Sequence, residues 1–379
     1  MPEIENSPRS YRQLGTAIVQ SIGRTTVEHI PVYLCAFLFC ATTIAVTAAY
    51  HIKLEASSGL FFLNIVGEFS VLGVAIVAGF EFITLLRTRS PDRPFPAIAR
   101  RLAERLTQGD RAGNMFHFVV AFIPLMISFT AMKDQIPQIH PFAWDTTFTA
   151  WDRAIGFGHL PWTILQPALG HPPITAAINF VYDAWFLVMF TCLLWQAFGA
   201  KRDVLRLQFL IAFSFGWFIG GNLLAAVFSS AGPCFDGMLH LPGANPYAAQ
   251  MAYLHAASVH WPVWSVGVQD LLWKSYVRGD GVLGGISAMP SMHLISTVIM
   301  TLLAWRTSKM LGMAFLAFTA IIFIGSIHLG WHYAVDSIAG ILLAVAFWAA
   351  AGVVARVTMR LALLRPSLRP AAALGAAQA

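Results

Sequence analysis

Long apolar stretches recur along this 379-residue chain and constrain its fold more than any other feature. A helix of about 20 apolar residues crosses the hydrocarbon core of a bilayer and pairs its backbone groups internally. Hydrophobic residues make up 57% of the chain and charged residues 11%, which excludes a soluble globular protein. The sequence therefore predicts an all-α, polytopic membrane protein with about eight transmembrane helices. The predicted spans are 31–51, 66–87, 114–132, 174–198, 206–229, 289–305, 311–328 and 333–356.

The positions of Lys and Arg predict the orientation of these spans. With the N-terminus in the cytoplasm, all but five of the 24 basic residues fall on the cytoplasmic side. The positive-inside rule therefore places both termini there and accounts for the net charge of +6 without any affinity for nucleic acid. The first 30 residues are polar and lack the pattern of a cleaved signal peptide, so we expect the first span to direct insertion, in a bacterial inner membrane. The five basic residues left outside are Lys53, Lys133, Arg153, Lys274 and Arg278.

The predicted spans divide the chain into a six-helix core with additions at both ends. Residues 96–108 set Arg and Glu side chains opposite apolar ones, which predicts an amphipathic helix on the inner membrane surface. The four cysteines are scattered and suggest no disulfide framework. The predicted parts are 1–113 with two extra transmembrane helices, the catalytic core 114–358, and a loose cytoplasmic tail 359–379.

Two long outer segments, 133–173 and 230–288, are rich in Trp, which is typical of helices lying at a membrane interface. Ordered loops of this length usually have a function. Gly residues near 279–285 could act as hinges, so we interpret the second segment as a lid over a site. An inert interfacial cap is the alternative interpretation.

Two polar clusters, 287–293 and 328–336, lie at the ends of an apolar hairpin, so we expect His293 and His332 to meet on the outer face. Pro290 fits the first turn of a helix, whose free N–H groups near Ser291 would bind an anion such as phosphate. Asp336 lies one helical turn after His332 and can orient the imidazole. Ionisable groups at membrane depth are functional candidates.

This set of groups predicts phosphoryl transfer. A histidine can attack phosphorus to give a covalent phosphohistidine, and a second histidine can protonate the departing oxygen. Neighbouring N–H groups and cations would stabilise the charge on the phosphoryl oxygens. The scheme needs neither a metal nor a cofactor.

The two clusters resemble the second and third motifs of the type 2 phosphatidic acid phosphatase superfamily. Residues 290–293 match Pro-Ser-x-His, and residues 330–336 match Gly-x-His-x3-Asp. The resemblance covers about residues 114–356. By position, it implies that His332 is the nucleophile, Asp336 its orienting partner, His293 the general acid and Ser291 a phosphate ligand.

The sequence also departs from those phosphatases. We find no Lys-x6-Arg-Pro motif before this region, and Ser326 stands where the family has an arginine six residues before the nucleophile. The motif wording is more similar to the lipid phosphotransferase branch that includes inositol phosphorylceramide synthases, as is the pair Asn179 and Tyr182. We therefore expect a phosphotransferase that moves a phospho-head-group from a phospholipid donor to a lipid acceptor. A lipid phosphate phosphatase is the alternative.

Three outer cations and two other classes of function complete the sequence interpretation. A phosphodiester needs fewer cations than a phosphomonoester, and Lys274, Arg278 and Arg153 are the candidates to supply them. His328, His332 and Asp336, with His293, could instead form a metal site, although positions i and i+8 lie about 12 Å apart along a helix. We therefore interpret His328 as a group that contacts either the substrate or the catalytic residues. A transporter is the remaining alternative, but the polar groups cluster at one face and no inverted repeat is evident.

Overall fold

The computed structural model describes residues 10–52, 94–279 and 285–364, together with short pieces between 64 and 87. Every regular element within these residues is a helix, and six helices are long and apolar enough to span a membrane. The prediction of an all-α integral membrane protein is confirmed. The six candidate spans are Tyr11–Ala49, Arg111–Lys133, Pro172–Ala197, Val204–Val227, Lys309–His328 and Ala334–Leu364.

Two of the eight predicted spans differ from this set. The predicted span 66–87 lies partly outside the described residues, so the total of eight stays a prediction. The predicted span 289–305 corresponds to helix Met292–Thr307, which has 16 residues and rises about 24 Å. It forms a hairpin with Lys309–His328, in which Ser308 ends one helix and caps the next through a hydrogen bond from Leu311 N to Ser308 Oγ. The hairpin therefore turns over where the sequence predicts.

The first helix is longer than predicted. It begins at Tyr11 rather than near residue 31, because Ser10 and Gln13 form a capping box. Ser21, Thr25, Glu28 and His29 in this early part are buried, and Ser21 Oγ accepts a hydrogen bond from Gly113 N of helix Arg111–Lys133 at 3.0 Å. Gly113 permits this close approach, since a Cβ there would collide with Thr25 Oγ1.

The amphipathic helix predicted at 96–108 is found as Pro94–Leu106. Two of its basic side chains, Arg101 and Arg105, form ion pairs with the buried Glu81. Part of its charged surface is therefore engaged within the protein.

A π-helix, Gly216–Leu224, interrupts the span that begins at Val204. Gly216 and Gly220 face Ile295, and a Cβ at either position would lie 2.7 Å from an Ile295 methyl group. The π-helix therefore packs closely on the first turns of Met292–Thr307. Such irregular turns are frequent near functional sites.

The described parts of the two outer segments are folded into short helices. These are Ile136–Ile139, Asp145–Ile155, Pro161–Leu169, the 3-10 helix Pro233–Met238, Ala248–Ser258 and Trp264–Arg278. Gly279 ends the last of them with a φ of +66°, a conformation that glycine adopts readily. The next five residues, 280–284, lie outside the described residues. The lid therefore stays a prediction.

Candidate active site

The helical hairpin brings the two motif histidines into contact. His332 lies in the turn between helices Lys309–His328 and Ala334–Leu364, and His293 lies in the first turn of Met292–Thr307. His332 Nε2 is 3.4 Å from His293 Nδ1. Residues 39 positions apart in the chain thus form one polar centre.

A backbone carbonyl fixes the tautomer of His332. His332 Nδ1 lies 2.8 Å from the carbonyl oxygen of Ala288, and because a carbonyl only accepts, Nδ1 carries the proton. The lone pair of Nε2 therefore faces His293. Burial lowers the pKa of His332 to about 4, the hydrogen bond to Ala288 acts in the opposite direction, and the nearby charge of Lys133 lowers the pKa further. The imidazole is neutral at physiological pH, as a nucleophile must be.

Asp336 stabilises the turn that carries His332. Its Oδ2 atom accepts a hydrogen bond from Tyr333 N at 3.0 Å and lies 3.7 Å from His332 Nδ1. The longer distance allows electrostatic attraction but exceeds that of a hydrogen bond. The hydrogen-bond partner of the His332 imidazole is thus the Ala288 carbonyl. Asp336 instead stabilises the turn through Tyr333 N and attracts the imidazole electrostatically.

Ser291 is the N-cap of helix Met292–Thr307. Its Oγ accepts a hydrogen bond from Leu294 N at 3.4 Å, and its N–H donates to Asp336 O at 3.2 Å. The side chain is fully buried. Ser291 therefore joins the two motifs and orients the helix end towards the histidines.

Two aromatic rings enclose His293. Tyr182 stacks on it with ring centroids 4.5 Å apart, and Trp185 lies at 4.2 Å. Sequence analysis named Tyr182 but missed Trp185, which carries no local motif. Asn179 lies one helical turn before Tyr182. It accepts a hydrogen bond from Ser265 N and donates one to Asp183, so it holds helix Trp264–Arg278 against the core.

His328 turns away from this pair. Its Nε2 lies 2.9 Å from Thr175 Oγ1, which also contacts Tyr253 OH. Among the described residues, no group of three or more His, Cys, Asp or Glu side chains is arranged to hold a metal ion. The structure thus places His328 apart from His332, Asp336 and His293, the other three side chains of the metal hypothesis.

The three outer cations named from the sequence lie on exposed surfaces. Lys274 and Arg278 are exposed on helix Trp264–Arg278. Arg153 is exposed and lines an open cavity of about 510 Å³ together with Thr149, Asp236 and nine further residues. The structure places none of the three in contact with His293 or His332.

A different cation, Lys133, lies beside the histidines. It is only 9% exposed, and its Nζ donates to Gly221 O at 3.2 Å. Gly221 packs against Met292, the neighbour of His293. The Lys133 charge acts on both imidazoles.

The sequence contains a partial signal for Lys133. Residues 133–141 read Lys133-x6-His140-Pro141, which differs from the Lys-x6-Arg-Pro motif by His in place of Arg. The full motif is absent, and the substitution at position 140 hides the relation. His140 Nδ1 lies 2.9 Å from Ala226 O, at the end of the span that contains the π-helix.

These features define a polytopic membrane protein in which a buried histidine, a half-buried histidine and an adjacent lysine lie at one end of the helices. A family model described as the PAP2 superfamily matches residues 146–350, more than half of the chain. The protein belongs to the PAP2 superfamily, as the two motifs predict. Members are phosphatases or phosphotransferases, so this protein is an enzyme of that type acting on phosphate esters. No curated protein and no solved structure matches the chain.

Proposed function

We propose that the protein is a lipid phosphotransferase, which moves a phosphoryl or phospho-head-group from a phospholipid donor to a lipid acceptor through a phosphohistidine on His332. We place it in a bacterial inner membrane, with both termini in the cytoplasm and the site on the extracytoplasmic face. The positions of Lys and Arg support this orientation.

The observation that carries the proposal is the state of His332. Its Nδ1–H is held by Ala288 O, and its Nε2 lone pair faces a second histidine from another helix. A histidine held in this way can attack an electrophile through Nε2 alone. The second imidazole is within reach to give or take the proton of the oxygen that leaves or attacks.

The reaction balances in two steps. We infer that a bound phosphate group separates the two imidazoles. His332 Nε2 forms a bond to phosphorus while the bond from phosphorus to the donor oxygen breaks. His293, whose protonated form is favoured by the negative charge of the bound phosphate group, gives its proton to that oxygen. The acceptor hydroxyl then attacks phosphorus, returns a proton to His293 and displaces His332. Lys133 is the cation nearest to stabilise the charge on the phosphoryl oxygens.

The alternative is a lipid phosphate phosphatase, in which water takes the place of the acceptor alcohol. The Lys133-x6-His140-Pro141 sequence favours this alternative, since it retains one cation of the phosphatase motif. Ser326 in place of the family arginine favours the transferase, because a diester carries less charge at phosphorus. Ser326 Oγ hydrogen-bonds to Ser337 Oγ at 2.9 Å, which leaves no cation at that position.

A product analysis tests the proposal. The purified protein is incubated with phosphorus-labelled phospholipids, lipid phosphates and unlabelled lipid alcohols, with and without EDTA. We expect label on a new lipid, unaffected by EDTA and lost in His332→Ala. Label released as inorganic phosphate would establish the phosphatase instead. Zinc-dependent recovery after EDTA would overturn the metal-independent mechanism.

A further inference from the structure

Helix Asp145–Ile155 of the first outer segment presents two buried carboxylates to the catalytic segments. Asp145 and Asp152 are seven residues apart, about two helical turns, and therefore lie on one face. Each is only 2% exposed. A carboxylate is buried in this way only when hydrogen bonds compensate for its lost hydration.

Asp145 binds the loop that follows the π-helix span. Its carboxylate accepts hydrogen bonds from Ala231 N at 3.0 Å and Gly232 N at 2.9 Å, and from the Tyr333 hydroxyl at 2.9 Å. Gly232 has a φ of +108°, and a Cβ there would lie 2.8 Å from Trp331 O. One side chain thus connects this loop to the turn that contains His332.

The same loop reaches the atom that orients His332. Ser230 O accepts from Ala288 N at 2.9 Å, and Ser230 Oγ accepts from Met289 N at 3.2 Å. Ala288 O in turn accepts from His332 Nδ1. Hydrogen bonds, joined by the backbone of residues 230–231 and of Ala288, therefore connect Asp145 to the imidazole.

Asp152 caps the helix that follows His332. Its two oxygens accept from Ala334 N at 2.9 Å and Val335 N at 3.0 Å. These are first-turn donors of helix Ala334–Leu364, which have no partner within that helix. A negative charge there is also favoured by the helix dipole. The cap comes from a distant part of the chain rather than from the residue before the helix.

We propose that Asp145 and Asp152 are positioning residues, and that helix Asp145–Ile155 fixes the separation between the Ala288 carbonyl and the turn carrying His332 and Asp336. Neither carboxylate touches the reacting atoms. Their effect is to hold Nε2 of His332 in its attacking direction. The proposal rests on the proposed function, because it takes His332 as the nucleophile.

The ionisation of Asp152 supplies a readout that a purely structural role would not give. Burial raises the pKa of Asp152 to about 7, against the lowering effect of the bonds from Ala334 and Val335. The charge of Asp336 raises it further, and Tyr247 is the other titratable group that faces it. The ionised fraction therefore falls as the pH falls through 7. A protonated carboxyl keeps one good acceptor oxygen, so one of the two caps is weakened.

The test compares Asp152→Asn with Asp203→Asn, using inorganic vanadate as a probe. Vanadate adopts the geometry of a phosphoryl group under attack and can bond to an imidazole nitrogen. Asn keeps one acceptor oxygen and directs an N–H at a backbone N–H, so it resembles the protonated state at every pH. Asp203 accepts a hydrogen bond from Leu205 N at 2.9 Å at the start of helix Val204–Phe215, which makes it a matched helix cap away from the site.

We expect Asp152→Asn to weaken vanadate binding by about tenfold to a hundredfold above pH 8, as expected for a displacement of about 1 Å. The ratio of the wild-type vanadate affinity to the Asp152→Asn affinity should approach one near pH 6, where the wild-type Asp152 is itself protonated. Hydrogen exchange of the segment containing Ala334 and Val335 should accelerate in Asp152→Asn. Asp203→Asn should bind vanadate as the wild type does.

Two further results separate this inference from the proposed function. If the wild type and His332→Ala bind vanadate equally, the proposed nucleophile is wrong. If His332→Ala loses binding while Asp152→Asn retains wild-type affinity at pH 8, only the positioning role is overturned. Equal losses of vanadate affinity in Asp152→Asn and Asp203→Asn would also overturn the positioning role, since such losses would reflect reduced stability alone. Tyr333→Phe, which removes one bond to Asp145, gives a milder variant with the fold retained.

Discussion

At the scale of single residues, the reactivity of His332 depends on groups that no motif contains. The family motifs supply the imidazole and Asp336, whereas the proton on Nδ1 is held by the carbonyl of Ala288. Every residue has a backbone carbonyl, so residue identity does not indicate which carbonyl accepts this hydrogen bond. The sequence therefore predicts the catalytic side chains but not the atom that orients them. The role of Lys133 is hidden for another reason, since His140 stands where the family motif has arginine.

Removal of either motif histidine should abolish turnover. We expect His332→Ala and His293→Ala each to lower kcat by at least about 10³, because each removes a whole catalytic role. The measurement is label transfer by purified protein in detergent. His255→Ala is the matched control, because His255 is exposed on helix Ala248–Ser258 and should leave activity unchanged. Near-normal turnover in either motif variant would refute the mechanism.

Burial of His332 should also make stability depend on pH. Its folded-state pKa of about 4 lies below the ordinary value of 6.5, so the folded protein binds fewer protons than the unfolded chain between these values. This group therefore contributes stability that is fully present above pH 6.5 and is lost as the pH falls towards 4. We expect the fall in melting temperature between pH 7 and pH 5 to be smaller in His332→Gln than in the wild type. An identical fall in both proteins would contradict the assignment.

At the scale of elements, the apolar runs predict the helices well, and tertiary contacts decide their ends. The hairpin of Met292–Thr307 and Lys309–His328 follows from an apolar run with a polar turn. The capping box of Ser10 and Gln13 is a local signal for a helix start at Tyr11, but the apolar pattern begins only near residue 31. The polar residues between them are stabilised by distant partners. Glu28 pairs with Arg202, and His29 contacts Arg206 at 3.2 Å. A single sequence does not show such pairings.

The crossing of the two motif helices should tolerate no added atom at Gly340. A Cβ there would lie 2.8 Å from Ser291 O and 3.2 Å from Leu294 Cβ, and a backbone oxygen cannot move aside cheaply. We expect Gly340→Ala to separate the helices, to lower the free energy of unfolding by about 1–3 kcal/mol and to reduce kcat by at least about tenfold. Thermal melting and label transfer measure the two effects.

Gly267→Ala is the control for that substitution. Gly267 lies on helix Trp264–Arg278, and a Cβ there meets nothing within 4 Å. Alanine has the higher helix propensity, so this variant should be as stable as the wild type or slightly more stable. Equal behaviour of the two variants would show that the helix crossing at Gly340 is not tight.

At the scale of the whole molecule, helix Arg111–Lys133 connects two polar clusters. Lys133 ends this helix beside the histidine pair, while His117, near its start, bonds to Tyr33 OH at 2.7 Å. The helix has 23 residues and is about 35 Å long, so these two clusters lie far apart. The first helix packs along this length, since Cys40 Sγ lies 3.1 Å from Ser128 Oγ, near the Lys133 end.

The proposed orientation predicts which of these ends faces the cytoplasm. Phe157 is 94% exposed in the first outer segment, and Met310 is 82% exposed at the hairpin turn, on the opposite end. In intact cells, a membrane-impermeant maleimide should label Phe157→Cys, and it should label Met310→Cys only after permeabilisation. Three native cysteines are buried and Cys40 is half-buried, so the wild type should give the low background that serves as control. The reverse pattern would place the histidine pair in the cytoplasm, because the outer helices and the site share one end of the molecule.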